Sequence, residues 1–347
     1  MSLRASLPVP STVSLPPHYR MPFYDLYDCG SPSTHLFLAS RQSARFTCEH
    51  ARSRCARNMK KAFEYALVRF ADLLFHVLPR SWSIGLGEQL SLGVSHVITK
   101  RRDLVLRNLA LAFPEKSDRE RARIARAVWR NLGRLAVEFS RVSDFTDGSI
   151  DRLVDVEGRE YVDAAIKEGK GIVGLTAHFT NWELTGALVQ RVFGNMTVIA
   201  RPVHNASVDR WVYEKRTASG LNIILPKDAV KASLKCLKSR GIIGMMIDQS
   251  LSSGGVFVEF FGRPASSTTL PALLHIRTGA PVMFAYLVRN GERFRLVFEP
   301  VVFPPVEDPA ARIQIYTQVM TTQFEQVIRR YPESWLWLHN RWKRQPE

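Results

Sequence analysis

Residues 171–190 read GIVGLTAHFTNWELTGALVQ, and this stretch decides how the rest of the chain is interpreted. Its opening apolar run predicts a buried strand, and the spacing of its later apolar residues predicts a helix. His178 and Glu183 lie at the junction between the two. Because open α/β sheets hold their ligand crevices at the carboxyl ends of the strands, the turn is expected to place His178 beside such a crevice.

A histidine close to a carboxylate suits general-base catalysis. The imidazole can take a proton from a hydroxyl, while the carboxylate fixes the tautomer and stabilises the imidazolium. If the hydroxyl belongs to the substrate, the protein needs no serine or cysteine nucleophile. A purely structural interpretation stays open, in which Glu183 returns to the backbone N–H of Thr180 as part of a capping box.

The composition describes a strongly basic protein with a sizeable core. Its 347 residues are 46% hydrophobic, which is too apolar for a chain that is disordered throughout. The formal net charge of +16 favours an anionic partner, which could be nucleic acid, an acidic membrane leaflet or an acidic carrier protein; a solvated basic surface also accounts for it. The four cysteines form no CxxC pair, which argues against a zinc site or a disulfide framework.

The first 58 residues are rich in proline, serine and arginine and predict a disordered extension, with Met59 as a candidate for the true start. Residues 59–99 are predicted to form a membrane-associated helical region. The apolar stretch at 62–78 is too short and too charged for a spanning helix, but its basic flanks suit an interfacial one. The alternative is a helix packed on the catalytic domain, which is assigned to residues 100–347.

The next region predicts two helices that are broken at Pro114. Ser117 and Glu120 have the spacing of a capping box at the start of the second helix. This helix carries a stripe of basic residues: Arg119, Arg123, Arg126, Arg130 and Arg134. The stripe suits an acidic carrier protein or phospholipid headgroups, and equally a solvated face without a partner.

After residue 156 the chain alternates between strand and helix patterns. Strands are predicted at 171–176, 196–200, 223–225 and 242–247, and helices at 182–192, 207–219 and 229–239. Two later strands meet at Asn290-Gly291, a hairpin signal. The predicted fold class is α/β, with a mixed, largely parallel sheet flanked by helices.

Five motifs together resemble those of the bacterial lipid A biosynthesis acyltransferases, the lauroyl and myristoyl transferases within the lysophospholipid acyltransferase superfamily. They are HFTNWE at 178–183, ARP at 200–202, IDQ at 247–249, FVEFFGRPASSTT at 257–269 and WLWLHNRWK at 335–343. They follow the family's order, and the resemblance covers residues 59–346. It implies a glycerolphosphate-acyltransferase-like fold with a membrane-associated amino-terminal helix.

The resemblance also implies an activity, namely transfer of a fatty acyl chain to a hydroxyl of a lipid A precursor or similar glycolipid. The donor would be an acyl-carrier-protein thioester, or else acyl-CoA, with no metal, other cofactor or covalent intermediate. His178 would be the base and Glu183 the residue that holds it. The expected partners are acyl-carrier protein, the glycolipid acceptor and phospholipid at the cytoplasmic face of the inner membrane, and no nucleic acid.

Five further residues are predicted to bind substrate. Arg201 follows a strand and should emerge on the same edge as His178, where it could hold a phosphate or a carbonyl oxygen. Asp248 closes another strand and is expected to orient Arg201 or a basic neighbour. The set is completed by Asn181, Thr268 and Thr269.

Other features of the motifs have a structural and a functional interpretation. Thr268 and Thr269 are predicted to cap a helix, whose amides would then lie near a bound anion. Phe257, Phe260 and Phe261 either line an acyl channel or belong to the core. The aromatic and basic closing motif at 335–343 is expected to dock back onto the catalytic domain, with membrane headgroups or nucleic acid as competing partners.

Two alternatives to the predicted function stay open. One is a related acyltransferase that uses acyl-CoA and acts on another glycolipid or on a lysophospholipid. The other is a non-enzymatic basic protein that binds acidic membranes or nucleic acid through the arginine stripe and the closing motif, indifferent to His178 and Glu183.

Overall fold

Four helices precede the sheet. The computed structural model describes residues 41–145, 152–251 and 253–346, in a chain that divides into two units, Met1–Glu64 and Tyr65–Glu347. The helices are α1 (Arg41–Val77), α2 (Arg80–Val97), α3 (Thr99–Ala112) and α4 (Asp118–Ser140). The predicted disordered extension is therefore helical from Arg41 onward, and its residues 1–40 lie outside the described part of the chain.

The break predicted at Pro114 is confirmed, since α3 ends at Ala112 and α4 begins at Asp118. Ser117 caps α4 through its side chain, and Glu120 returns to the backbone of Ser117, so the predicted capping box is present. Both contacts satisfy amide groups that the first turn of a helix leaves without partners.

Helices α2 and α4 approach one another through two glycines. A β-carbon on Gly133 would lie 2.2 Å from the carbonyl oxygen of Gly87, so neither helix could come this close with a larger residue there. The approach also divides the arginine stripe of α4. Arg134 and Arg130 both face Glu88 of α2, the latter at 3.9 Å, and so part of the stripe serves helix packing.

Strands and helices then alternate; the structure contains the predicted ones and adds strands at Val154–Glu157 and Arg263–Ser267 and a helix at Arg159–Lys167. The strands are β1 (Val154–Glu157), β2 (Ile172–Thr176), β3 (Met196–Ile199), β4 (Asn222–Ile224), β5 (Ile242–Met246), β6 (Val256–Phe260), β7 (Arg263–Ser267), β8 (Val282–Asn290) and β9 (Arg293–Pro300). The helices are α5 (Arg159–Lys167), α6 (Trp182–Phe193), α7 (Ala206–Ala218), α8 (Ala229–Lys238), α9 (Leu270–Thr278) and α10 (Pro309–Arg330).

Seven strands form one sheet in the order β1-β9-β8-β2-β5-β3-β4, and β6 pairs with β7 in a separate hairpin. In the large sheet only β8 and β9 are antiparallel neighbours, joined by the predicted turn, in which Gly291 has φ 60°. The other neighbouring strands are parallel. The predicted α/β fold with a mixed, largely parallel sheet is confirmed.

The register of the two central strands brings the site together. Thr176, the last residue of β2, lies opposite Met246, the last residue of β5. Both strands run in the same direction, so the chain leaves both at the same edge of the sheet. His178 lies two residues after Thr176, and Asp248 lies two residues after Met246.

The closing motif docks onto this sheet-and-hairpin body, as predicted. Trp335 and Trp337 are fully buried, and Trp342 packs on the Phe260 ring with a centroid separation of 5.8 Å. Phe260 and Phe261 are themselves buried in this aromatic cluster. Of the two interpretations of these phenylalanines, the core interpretation is therefore correct.

Helices α1 and α2 carry apolar side chains on their surface. Leu67, Phe70 and Leu73, spaced three residues apart on α1, are each more than half exposed, as are Trp82 and Val97 of α2. Within the described ranges, no helix has the length and apolarity needed to span a bilayer.

Candidate active site

His178 is held by Asp248 on one side of its ring. Nδ1 of His178 lies 3.0 Å from Asp248 Oδ1, and the backbone N–H of His178 donates to Asp248 Oδ2 at 3.0 Å. Trp335 Nε1 donates to the same Oδ2 at 2.8 Å. Nδ1 lies nearer to Oδ1 than to Oδ2, which is 3.2 Å away. Because an ionised carboxylate can only accept, Nδ1 must carry the proton that it donates.

The closing motif fixes the turn that carries His178. The N–H of Thr180 donates to Ser334 O at 2.7 Å, and the N–H of Leu336 donates to His178 O at 2.9 Å. Thr180 has φ 44°, a left-handed conformation that costs energy for a β-branched residue. The two hydrogen bonds hold the backbone in this conformation and set the direction of the imidazole.

The charge of Asp248 changes the proton affinity of the ring. Burial lowers the pKa of His178, but the charge and hydrogen bond of Asp248, with a contribution from the charge of Glu183, outweigh it and raise that pKa above its ordinary value of 6.5. Burial raises the pKa of Asp248, but His178 and the hydrogen bonds to the carboxylate bring it down to about 2. Asp248 is therefore ionised throughout the physiological range.

Glu183 does not hold His178, contrary to the prediction. Both of its carboxylate oxygens accept hydrogen bonds from Arg216 of α7, at 2.6 and 2.8 Å. The capping-box interpretation is also wrong, since the N–H of Thr180 donates to Ser334 instead. The physical reason is that the first turn of α6 directs Glu183 toward α7, whereas the strand register delivers Asp248 to the imidazole.

Asn181 is the cap of α6 and is not available to substrate. Its side-chain oxygen accepts from Leu184 N at 3.0 Å, its amide nitrogen donates to Glu138 Oε2 at 3.0 Å, and the residue is fully buried. Glu138 is held in turn by Arg289 at 2.6 Å. The predicted role of Asn181 in substrate binding is therefore wrong, because both ends of its amide hold the helix in place.

The remaining predicted residues lie around the same edge or beyond it. Arg201 follows β3, which is parallel to β5, so it emerges on the predicted edge, and its side chain is exposed. Asp248 was expected to orient Arg201 or a basic neighbour, and the structure shows the second of these, since Asp248 contacts His178 and not Arg201. Thr268 and Thr269 precede α9 as predicted, but the weak cap at 3.4 Å comes from Thr268, and Thr269 makes no side-chain cap.

A narrow cavity of about 70 Å³ opens beside the turn. Its mouth includes Trp182, Glu183 and Arg216, and Trp182 packs against the His178 ring with a centroid separation of 4.9 Å. Inside, the cavity follows β2 from Thr176 to Ile172, which is about 13 Å of strand. Its walls are almost entirely apolar and include Gly174, Gly186, Gly244, Met196 and Met283.

Comparison of the sequence with known proteins shows the family of this chain. The family model described as bacterial lipid A biosynthesis acyltransferase matches residues 52–344, a range that begins before Met59. The chain belongs to this acyltransferase family. It is an enzyme, and the alternative interpretation as a non-enzymatic binding protein is wrong.

Individual relatives of this acyltransferase are distant in sequence. The lipid A biosynthesis palmitoleoyltransferase of Escherichia coli K12 is 26% identical over 267 residues, 75% of this chain and 85% of the relative. The lauroyltransferase of the same organism is 26% identical over 308 residues, 81% and 97% of the two chains. A phosphatidylinositol mannoside acyltransferase of Mycobacterium tuberculosis H37Rv is 24% identical over 218 residues, which cover 61% of this chain and 68% of the relative.

Sequence reasoning missed two side chains of this acyltransferase site. Trp335 donates to Asp248, and Arg216 pairs with Glu183 at the cavity mouth. The closing motif was a signal for Trp335, because an aromatic motif that docks on the catalytic domain can reach its centre. Arg216 belongs to none of the five motifs, and nothing in its local pattern distinguishes it from other surface arginines.

Proposed function

We propose that this acyltransferase moves a fatty acyl chain from an acyl-carrier-protein thioester to a hydroxyl of a lipid A precursor or similar glycolipid. The observation that carries the proposal is the orientation of His178, whose Nδ1 faces Asp248 while Nε2 is left to accept a proton. His178 takes the proton of the acceptor hydroxyl, and the oxygen attacks the thioester carbonyl. When the tetrahedral intermediate collapses, the C–S bond breaks and the imidazolium gives its proton to the departing thiolate, so the carrier leaves as a thiol and no acyl-enzyme intermediate forms.

The apolar cavity supports the donor half of this proposal. An acyl chain is a flexible apolar rod, and a deep cavity with apolar walls removes it from water. Among the described residues that line the cavity, the charged ones are Glu183 and Arg216, which neutralise one another. A chain that enters past this ion pair leaves its thioester beside Trp182, whose ring packs against that of His178.

The exposed residues of α1 and α2 support an inner-membrane location at the cytoplasmic face. Side chains such as Phe70 and Trp82 can insert at headgroup depth, while the basic surface is attracted to anionic lipid. The glycolipid acceptor would then reach the site from the bilayer. The exposed arginines of the stripe, among them Arg119, Arg123 and Arg126, are available to acidic acyl-carrier protein.

The acceptor can be tested by mass spectrometry of lipid A and total lipids from cells with and without the gene. We expect loss of one secondary acyl chain from lipid A in cells without it. Loss of a chain from a different glycolipid would identify that glycolipid as the acceptor. Because one relative is a phosphatidylinositol mannoside acyltransferase, glycosylated phospholipids are the second candidate. Unchanged lipids in a strain that demonstrably expresses the protein would contradict the proposal.

Gly186→Leu is expected to shorten the acyl chain that the enzyme prefers. Gly186 lies on α6 and lines the cavity, where an added β-carbon would come no closer than 3.5 Å to Leu221. The added β-carbon therefore makes an ordinary contact, the rest of the side chain takes up space along the cavity, and leucine also favours helix more than glycine does. Each excluded methylene is worth about 1–3 kcal/mol, so the preference for long over short donors should fall by about 10-fold or more.

The measurement is kcat/KM for a series of acyl-carrier-protein donors of increasing chain length. Gly85→Leu is the matched control, because Gly85 is also helical but has open space around it. A folded Gly186→Leu protein with an unchanged chain-length preference would show that the acyl chain lies elsewhere.

A further inference from the structure

The second ring nitrogen of His178 also has a partner. The side-chain nitrogen of Gln249 lies 3.3 Å from His178 Nε2. Because Nδ1 carries the proton that goes to Asp248, Nε2 has a lone pair, and the Gln249 amide is the donor in this contact. Gln249 follows Asp248 directly in the loop after β5, and its side chain is exposed.

This contact occupies the place of the acceptor hydroxyl. An imidazole nitrogen has a single lone pair in the plane of the ring, and a base must hydrogen-bond the proton that it removes. The amide of Gln249 and a substrate hydroxyl therefore cannot both bind Nε2. One of them has to leave before the other arrives.

We propose that Gln249 stands in for the acceptor hydroxyl on His178 Nε2 and rotates away when the acceptor binds. This inference rests on the proposed role of His178 as the base. The side chain is suited to the movement because it is exposed and, within the described residues, its amide makes no other hydrogen bond. Rotation of an exposed side chain takes place in picoseconds to nanoseconds, so the exchange does not limit turnover.

The contact with Gln249 also opposes the effect of the nearby charges on the pKa of His178. A donor on Nε2 binds only the neutral imidazole, because the protonated nitrogen has no lone pair left. Negative charge nearby favours the imidazolium instead. The charged and titratable groups that face His178 are Asp248 after β5, Glu183 on α6 with its partner Arg216 on α7, and His339 in the closing motif. The contact from Gln249 thus partly offsets the pull of the two carboxylates toward the imidazolium.

The test compares Gln249→Met, which keeps the length of the side chain but removes the donor, with Gln249→Glu, which places an acceptor there. The pKa of His178 is measured by NMR on ring-labelled histidine in the protein without substrates. We expect Gln249→Met to raise it by about 0.4–1 pH unit, the equivalent of one hydrogen bond. Gln249→Glu should raise it further, since a carboxylate accepts from the Nε2–H of the imidazolium.

The same proteins are assayed for acyl transfer above the pKa of His178. Gln249→Met should lower KM for the acceptor by about 2- to 10-fold, because the hydroxyl no longer competes with an internal donor, and should leave kcat unchanged. Gln89→Met is the matched control, since Gln89 is exposed on α2.

An unchanged pKa of His178 in Gln249→Met would overturn the inference, and so would a raised pKa with an unchanged KM for the acceptor. Both shifts together would support it. The pKa measurement needs no turnover, so it decides whether Gln249 contacts the base even if the wild-type enzyme acylates none of the glycolipids offered. That last result would refute the proposed function by itself.

Discussion

His178→Ala is expected to lower the rate of acyl transfer by about 10²–10⁴-fold, the usual contribution of a positioned general base. The hydroxyl of a sugar or acyl chain is a poor nucleophile at neutral pH. Without an imidazole beside it, the hydroxyl has to attack while it still carries its proton. The loss should appear in kcat, measured with purified enzyme, an acyl-carrier-protein donor and a glycolipid acceptor.

The comparison needs a control for folding, because the His178 side chain is mostly buried. His96→Ala removes an exposed histidine of α2 and should leave transfer unchanged. Circular dichroism and thermal unfolding of both proteins would separate loss of the base from loss of structure. Near wild-type transfer by a folded His178→Ala protein would exclude His178 as the base.

Asp248→Asn is expected to lower the rate by up to about 10⁴-fold, as an asparagine does in the analogous position of a Ser-His-Asp triad. The geometry gives the reason. The backbone N–H of His178 and the indole N–H of Trp335 both require an oxygen at the Oδ2 position. The asparagine must therefore turn its NH₂ group toward Nδ1 of His178. Nδ1 then becomes an acceptor and Nε2 carries the proton, so the base is lost.

The pH dependence of the same variant gives a second measurement. In the wild type, kcat/KM should fall as the pH drops through the pKa of His178, which lies above 6.5 because the charge of Asp248 favours the imidazolium. Removing that charge lowers the pKa, so the acid limb of any residual activity should move to lower pH. Ring nitrogen chemical shifts should report the change of tautomer directly.

Glu183→Gln is the matched variant, since it also removes one negative charge near the ring but leaves the partner of Nδ1 in place. The His178 tautomer should be that of the wild type, whatever happens to the rate. A tautomer change in Glu183→Gln, or none in Asp248→Asn, would mean that the original sequence-based assignment of Glu183 was the correct one.

The strand pattern was sufficient to predict the sheet and the edge on which the site lies. Parallel β2 and β5 require His178 and the residues after Met246 to emerge together. The choice between Asp248 and Glu183 depends on the exact register and on the direction of the first turn of α6. Both are set by tertiary contacts, such as the Asn181–Glu138 hydrogen bond, that local sequence does not specify.

The sequence did not predict the cavity, because several of the residues that border it are glycines, which have no side chain. The sequence drew attention to Phe257, Phe260 and Phe261 as walls of an acyl channel, but Phe260 and Phe261 proved to be core and none of the three lines the cavity. The space lies instead along β2 and β5, where Gly174 borders it and Gly244 accommodates the end of the Met196 side chain. A glycine in a buried strand gives no hydrophobic signal, so only the three-dimensional arrangement reveals that several of them border one space.

The pairing of residues 178–180 with 334–336 has a consequence for synthesis of the enzyme. His178 and Asp248 are translated long before Trp335, although the three side chains form one hydrogen-bonded group. The last strand of the large sheet ends at Pro300, whereas the partners that hold the strained turn at Thr180 lie at residues 334–336. We therefore expect the growing polypeptide to have no acyltransferase activity until Trp335 has been translated and has docked.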